Sequence, residues 1–125
     1  MSESAFMFKP FEVGPGYRAV PEKTTSLPTD ANERKATMLF TGLIKYFPDA
    51  LAEVARVSVA GSKQHHPDEP IHWERGKSND HYDCIARHLW EADTIDTDGQ
   101  RHTAKVAWRA LAALQLEIER DRAGS

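Results

Sequence analysis

Between His102 and Arg120 the apolar residues Ala107, Ala110, Leu111, Leu114 and Ile118 recur every three or four positions. That is the period of an α-helix with one face turned away from water. No part of the chain alternates with the period of two that a half-buried strand requires, so the sequence predicts an all-α fold. The small residues of this last helix would let a neighbouring helix approach closely.

Three earlier segments fit the same scheme. Pro48 suits a first helical turn, Asp49 complements its positive end, and Leu51, Val54, Ala55 and Ser58 continue the period, giving a second helix that ends near Gly61 or Lys63. Ser78 reads as the cap of a third helix, with Tyr82, Ile85, Ala86 and Leu89 as its apolar face and an end near Asp93. A short first helix is expected between Glu33 and Phe47, with Gly42 as its weak point. Asp96-Thr-Asp-Gly99 has turn chemistry, and the longer stretch from Gln64 to Lys77, with Pro67, Pro70 and Gly76, is an irregular loop. Before about residue 30, Pro10, Gly14, Pro15, Gly16, Pro21 and Pro28 oppose regular structure, so residues 1–30 read as an extended arm. The expected architecture is a four-helix bundle over 31–125, one domain, with a longer loop between helices 2 and 3.

Composition narrows the possible functions. With 125 residues, 40% of them hydrophobic, the core is modest, and a homodimer or homotetramer would complete it. A net charge of -3 supplies no broad basic field, so neither long nucleic acid nor an anionic membrane is expected as a partner. The single Cys84 permits no internal disulfide, which points to a reducing compartment and hence the cytoplasm. No signal peptide or long apolar run is visible.

The candidate chemistry lies on two helices. Asp49, Glu53, Arg56 and Lys63 share a stripe on the second, and Asp80, Asp83, Arg87 and Glu91, with His88 beside them, do so on the third. Facing carboxylates of this kind can hold Mg²⁺ or Mn²⁺, which take oxygen ligands and retain waters and substrate phosphates. Acids and bases at such spacings also simply pair on solvated helix faces. The residues alone leave both readings open.

A resemblance adds to them. The runs Tyr46-Phe-Pro-Asp-Ala-Leu-Ala-Glu-Val-Ala-Arg-Val-Ser58, His72-Trp-Glu-Arg-Gly-Lys77, Arg87-His-Leu89 and Asp96-Thr-Asp-Gly99, then His102 onward through Ala107-Trp-Arg-Ala-Leu111, resemble successive blocks of the dATP/dGTP diphosphohydrolase N-terminal domain family. The likeness covers about Glu33 to Glu119. It implies a relative of the MazG-like all-α nucleotide pyrophosphatases, metal-dependent oligomers that convert a nucleoside triphosphate to monophosphate and pyrophosphate. In a bacterial or phage-infected cell this would deplete a purine deoxynucleotide or feed synthesis of a modified one. The resemblance implies Glu53 as the leading metal ligand and Asp83 as its partner, with Asp80 and Asp49 as further ligands and Arg87 and His88 as catalytic groups. Lys63, Trp73 and Lys77 would bind phosphate and base, and Arg34 and Lys35 would add cationic contacts to the triphosphate. The chain departs from the MazG-like pattern of Glu-Glu-x-x-Glu followed by Glu-x-x-Asp: Ala52 and Arg56 flank Glu53, and the nearest later pair is Asp80 with Asp83. A helical interaction module, or a nucleotide sensor of the same fold, is the alternative function.

Other motifs carry less. Aligning Gly99 with the glycine of a calcium loop puts Thr94 and Lys105 at ligand positions, which excludes that loop. His65, His66 and His72 lack the helical or hairpin spacing that fixes a transition-metal site, so none is expected there. Cys84 reads as a small buried residue, and Trp90 and Trp108 as core or interface packing.

Overall fold

The computed structural model describes residues 27–124, so the expected arm lies outside the described residues apart from 27–30. The described residues are helical, with four α-helices and a single isolated bridge between Ile95 and Arg101 in place of any strand. They are α1 (Ala31–Ala36), α2 (Pro48–His65), α3 (His81–Trp90) and α4 (His102–Ala123), with a π-helical turn at Phe40–Ile44 between the first two. The all-α fold class is therefore as the periodicity predicts. No helix among the described residues is long and apolar enough to cross a membrane.

The expected first helix is divided. Asp30 caps α1 by accepting the Glu33 N–H at 3.0 Å, as short acidic side chains do at helix starts. Thr37 closes it, its backbone leaving the helical region while its hydroxyl donates to the Glu33 carbonyl at 3.1 Å. The following turn winds loosely around Gly42, with Lys45 N–H bonded to the Phe40 carbonyl at 2.8 Å. A helix this short is stable only when packing holds it. Met38, Phe40 and Tyr46 stand exposed here, and no residue of α1 is buried, so the described residues supply no such packing.

Both α2 and α3 pack on α4. The buried apolar residues are Cys84, Ala104, Ala112 and Ala113, all small, which allows close approach of the backbones. This revises the faces read from the sequence. Leu111 and Leu114 of α4 and Tyr82 and Leu89 of α3 are exposed. Two neighbours on different sides of α4 explain the change, because the adjacent Ala112 and Ala113 point about 100° apart around the helix axis. On α3 the buried side is His81 and Cys84. Cys84 is buried as expected, whereas Trp90 is 92% exposed and belongs to no core among the described residues. Asp80 rather than Ser78 occupies the cap position of α3, and the Ser78 hydroxyl instead donates to Asp80 at 2.5 Å.

Between α3 and α4 the chain turns sharply. Gly99 takes φ +85° and Asp93 φ 68°, a left-handed region that glycine enters freely and Asp tolerates. Asp96 N–H bonds the Gln100 carbonyl at 2.8 Å, and the Asp98 carboxylate accepts the Gln100 N–H at 3.0 Å. Lys105, one turn into α4, then bridges Asp96 and Asp98 at 2.7 and 2.8 Å. The segment is thus a turn locked by its own lysine.

Candidate active site

A hollow of about 430 Å³, the main one by the extent of its lining, lies among the C-terminal half of α2, the loop after it, the start of α3 and the flank of α4. The loop is anchored twice. His72 N–H donates to the buried Ser62 hydroxyl at 3.2 Å, and Arg75 grips both carboxylate oxygens of Glu119 at 3.1–3.3 Å. Arg75 also lies 4.5 Å over the Trp73 ring, and Trp73 meets Trp108 edge-on with ring centroids 5.9 Å apart. This gives the hollow an aromatic wall suited to a planar ligand.

Its polar wall is cationic and imidazole-rich. Arg109 donates to the Ser78 hydroxyl and to His81 Nδ1, both at 3.1 Å. Because arginine can only donate, His81 Nδ1 is the acceptor and Nε2 carries the proton. That buried Nε2 has no partner, a condition that typically costs about 1–3 kcal/mol. His88 Nδ1 lies 2.9 Å from His102 Nδ1, while His102 Nε2 stands 3.0 Å from Glu91. Burial, then the charges of Lys105 and His102, push the His88 pKa down and favour its neutral form. The Lys105 ammonium and the Thr97 N–H hold Asp96 down at about 2.

The residues singled out from sequence fall into three places. Trp73, Lys77 and His88 line the main hollow. Asp49 and Glu53 line a second hollow of about 490 Å³ between α2 and the start of α4, beside Arg56 and Arg101. Glu53 is paired with Arg56 at 3.3 Å. Lys63, Asp80, Asp83, Arg87, Arg34 and Lys35 line neither hollow. Asp80 is held below the usual carboxylate range chiefly by the Ser78 hydroxyl, Arg87 lies 3.8 Å from Asp80 and 3.1 Å from Cys84 Sγ, and Arg34 donates to the Pro28 carbonyl at 2.8 Å.

Arg109, Lys105, His81 and Arg75 are not among the site residues expected from the sequence. Arg109 stood in plain view beside Trp108 inside a block already singled out, one helical turn after Lys105. Arg75 likewise lay inside the His72–Lys77 block, but only the folded chain sets it against Glu119 and His81 against Arg109.

Among the described residues, two groups of side chains bring metal-ligating atoms within 4.8 Å of one another: His66, Glu69 and His72, and His88, Asp96 and His102. Asp49, Glu53, Asp80 and Asp83 belong to neither. The carboxylates of Asp49 and Glu53 have the oxygen-donor chemistry that Mg²⁺ or Mn²⁺ takes, and such ions need only one or two protein carboxylates when phosphates and waters fill the rest.

No curated protein and no solved structure matches the chain. A family model, described as dATP/dGTP diphosphohydrolase, N-terminal, matches residues 28–124. With that span covering most of the sequence, the chain belongs to the dATP/dGTP diphosphohydrolase N-terminal family.

Proposed function

We propose that the protein hydrolyses a purine deoxynucleoside triphosphate, dATP or dGTP, to the monophosphate and pyrophosphate in a reaction dependent on Mg²⁺ or Mn²⁺. The observation that carries this reading is the convergence of Trp73, Lys77, His88 and Arg109 on one hollow in a chain of this family. Trp73 stacks on the base, a role its π-face suits. Lys77 and Arg109 of the hollow meet the triphosphate charge, and Lys63, Arg87, Arg34 and Lys35, which lie outside it, are further cationic candidates. Glu53 and Asp49 of α2, in the second hollow, and Asp83 of α3 with its cap residue Asp80 would hold the metal. When bound, the ion neutralises phosphate charge and activates the attacking water. Neutral His88 stands ready to accept a proton within the hollow.

The exposed apolar stripe of Leu111 and Leu114 on α4 favours a homodimer or homotetramer, since a single chain leaves large apolar side chains in water. A second reading, nucleotide binding without turnover, is favoured by one observation: the four acidic residues do not join either cluster of metal-ligating atoms.

Incubation with each dNTP and NTP in Mg²⁺, Mn²⁺ or EDTA, with products separated by ion exchange, tests the proposal. Metal-dependent monophosphate and pyrophosphate, lost in Glu53→Ala and Asp83→Ala, is the expected result. Triphosphate-dependent thermal stabilisation without turnover would select the sensor. Diphosphate and phosphate as products would refute the reaction proposed.

A further inference from the structure

We propose that His66, Glu69 and His72 form a binding site for a divalent transition metal of the Zn²⁺ class, at the wall of the main hollow. The site shares no residue with the Mg²⁺ or Mn²⁺ ligands proposed above and stands independently of that reading.

The geometry carries the inference. His66 Nδ1 lies 3.6 Å from Glu69 Oε2, and His72 Nε2 lies 3.7 Å from Glu69 Oε1. These gaps are too long for hydrogen bonds. Ligand atoms each about 2 Å from one tetrahedral ion stand roughly 3.3 Å apart, and here one ligand atom from each of the three residues lies within 4.8 Å of the other two. The two imidazole rings are 4.6 Å apart, centroid to centroid.

The opposite edge of each imidazole is already engaged. His66 Nε2 is 2.5 Å from Glu74 Oε1, and His72 Nδ1 is 2.9 Å from the Pro70 carbonyl. Neither oxygen can donate while Glu74 is ionised, so in the neutral, metal-binding form of each ring the proton sits on that outer nitrogen. The inner nitrogens, His66 Nδ1 and His72 Nε2, therefore turn lone pairs toward a carboxylate. Lone pairs facing an anion repel it, and a cation between them removes the conflict. A carboxylate or carbonyl behind a ligating imidazole is the usual second support of such sites.

The fold holds the three ligands in place before any ion arrives. His66 ends α2 with its N–H on the Ser62 carbonyl at 2.7 Å, and His72 is tied to the hydroxyl of the same buried serine. Glu69 N–H bonds the His66 carbonyl at 3.2 Å. Two imidazoles and one carboxylate suit a borderline ion such as Zn²⁺ better than Mg²⁺, which takes oxygen. The other cluster, His88, Asp96 and His102, is a poorer host because the Lys105 ammonium already occupies Asp96 at 2.7 Å. In the sequence the signal was the spacing His66-x-x-Glu69-x-x-His72, masked by the adjacent His65.

Titrating the metal-free full chain with Co²⁺, followed by its visible absorption, and then displacing it with Zn²⁺, tests the site. One Co²⁺ per chain is expected, with the intense bands of a four- or five-coordinate ion. Affinity should fall at least tenfold in His72→Ala and Glu69→Gln, each checked for native helix content by circular dichroism. Glu74→Gln keeps every ligand and should weaken binding by about 10–100-fold, whereas His65→Ala and His88→Ala should leave it unchanged. Absence of stoichiometric Co²⁺ binding by the native chain, or binding that survives His72→Ala and Glu69→Gln but is lost in His88→Ala, overturns the proposal.

Discussion

Arg75 is the residue whose removal says most about how the loop is held. Its guanidinium forms a fork on Glu119 of α4, with three N–O contacts between 3.1 and 3.3 Å, and its flat face covers Trp73 at 4.5 Å. The side chains are 38% and 27% exposed, so the pair is neither fully solvated nor dry. Exposed pairs contribute about 0.2–1 kcal/mol and hydrogen bonds to charged groups about 1.5–3; with solvent screening, about 1 kcal/mol is expected for the fork. The contact with Trp73 adds roughly 0.5–1 kcal/mol. Arg75→Ala should therefore destabilise the protein by about 1.5–2 kcal/mol, whereas Glu119→Gln, which keeps a hydrogen-bond acceptor, should cost less than Arg75→Ala. Urea unfolding of Arg75→Ala, Glu119→Ala and the double variant, as a thermodynamic cycle, isolates the fork. The coupling should be about 1 kcal/mol and should shrink in 1 M salt, where the screening length is only about 3 Å. A coupling within about 0.3 kcal/mol of zero at low salt would show that the fork does not anchor the loop. If the loop carries the base-stacking wall, Arg75→Ala should also weaken nucleotide binding while leaving α-helix content intact.

Three further outcomes follow from the same contacts. Gly99→Ala forces a side chain into φ +85° with open space around it, so the cost of about 1 kcal/mol in thermal unfolding is backbone strain alone; an unchanged melting temperature would mean the turn relaxes. The Asp96 carboxyl is depressed from 3.8 to about 2 chiefly by Lys105, so its contribution to stability is complete above pH 4 and is lost as pH falls through about 2. Unfolding measured between pH 5 and 2 should show a shallower acid decline in Asp96→Asn, and identical slopes would contradict this. Leu111→Glu combined with Leu114→Glu places charge on the exposed stripe of α4 and should convert the proposed oligomer to monomer in light scattering; a native chain that is already monomeric at high concentration would remove the basis for that expectation.

The sequence by itself determined the order of the helices and the approximate limits of α2, α3 and α4, because spacing, proline and turn residues act locally, whereas the expected first helix is divided. Pro48 opens α2 and Gly99 makes the turn before α4, as their backbone preferences require. It also marked Trp73, Lys77 and His88, which the fold assembles in one hollow. Which helix faces are buried was decided only in three dimensions. A single period cannot register that α4 has two neighbours, so Leu111 and Leu114 looked like core and are exposed, while Ala112 and Ala113 are buried. The same is true of the loop after α2. Pro67 and Pro70 announced irregular backbone, but only the return of the chain onto Ser62 brings His66, Glu69 and His72 together. Local chemistry set the elements, and long-range contacts chose their partners, since a side chain's environment is a property of the segments that meet around it.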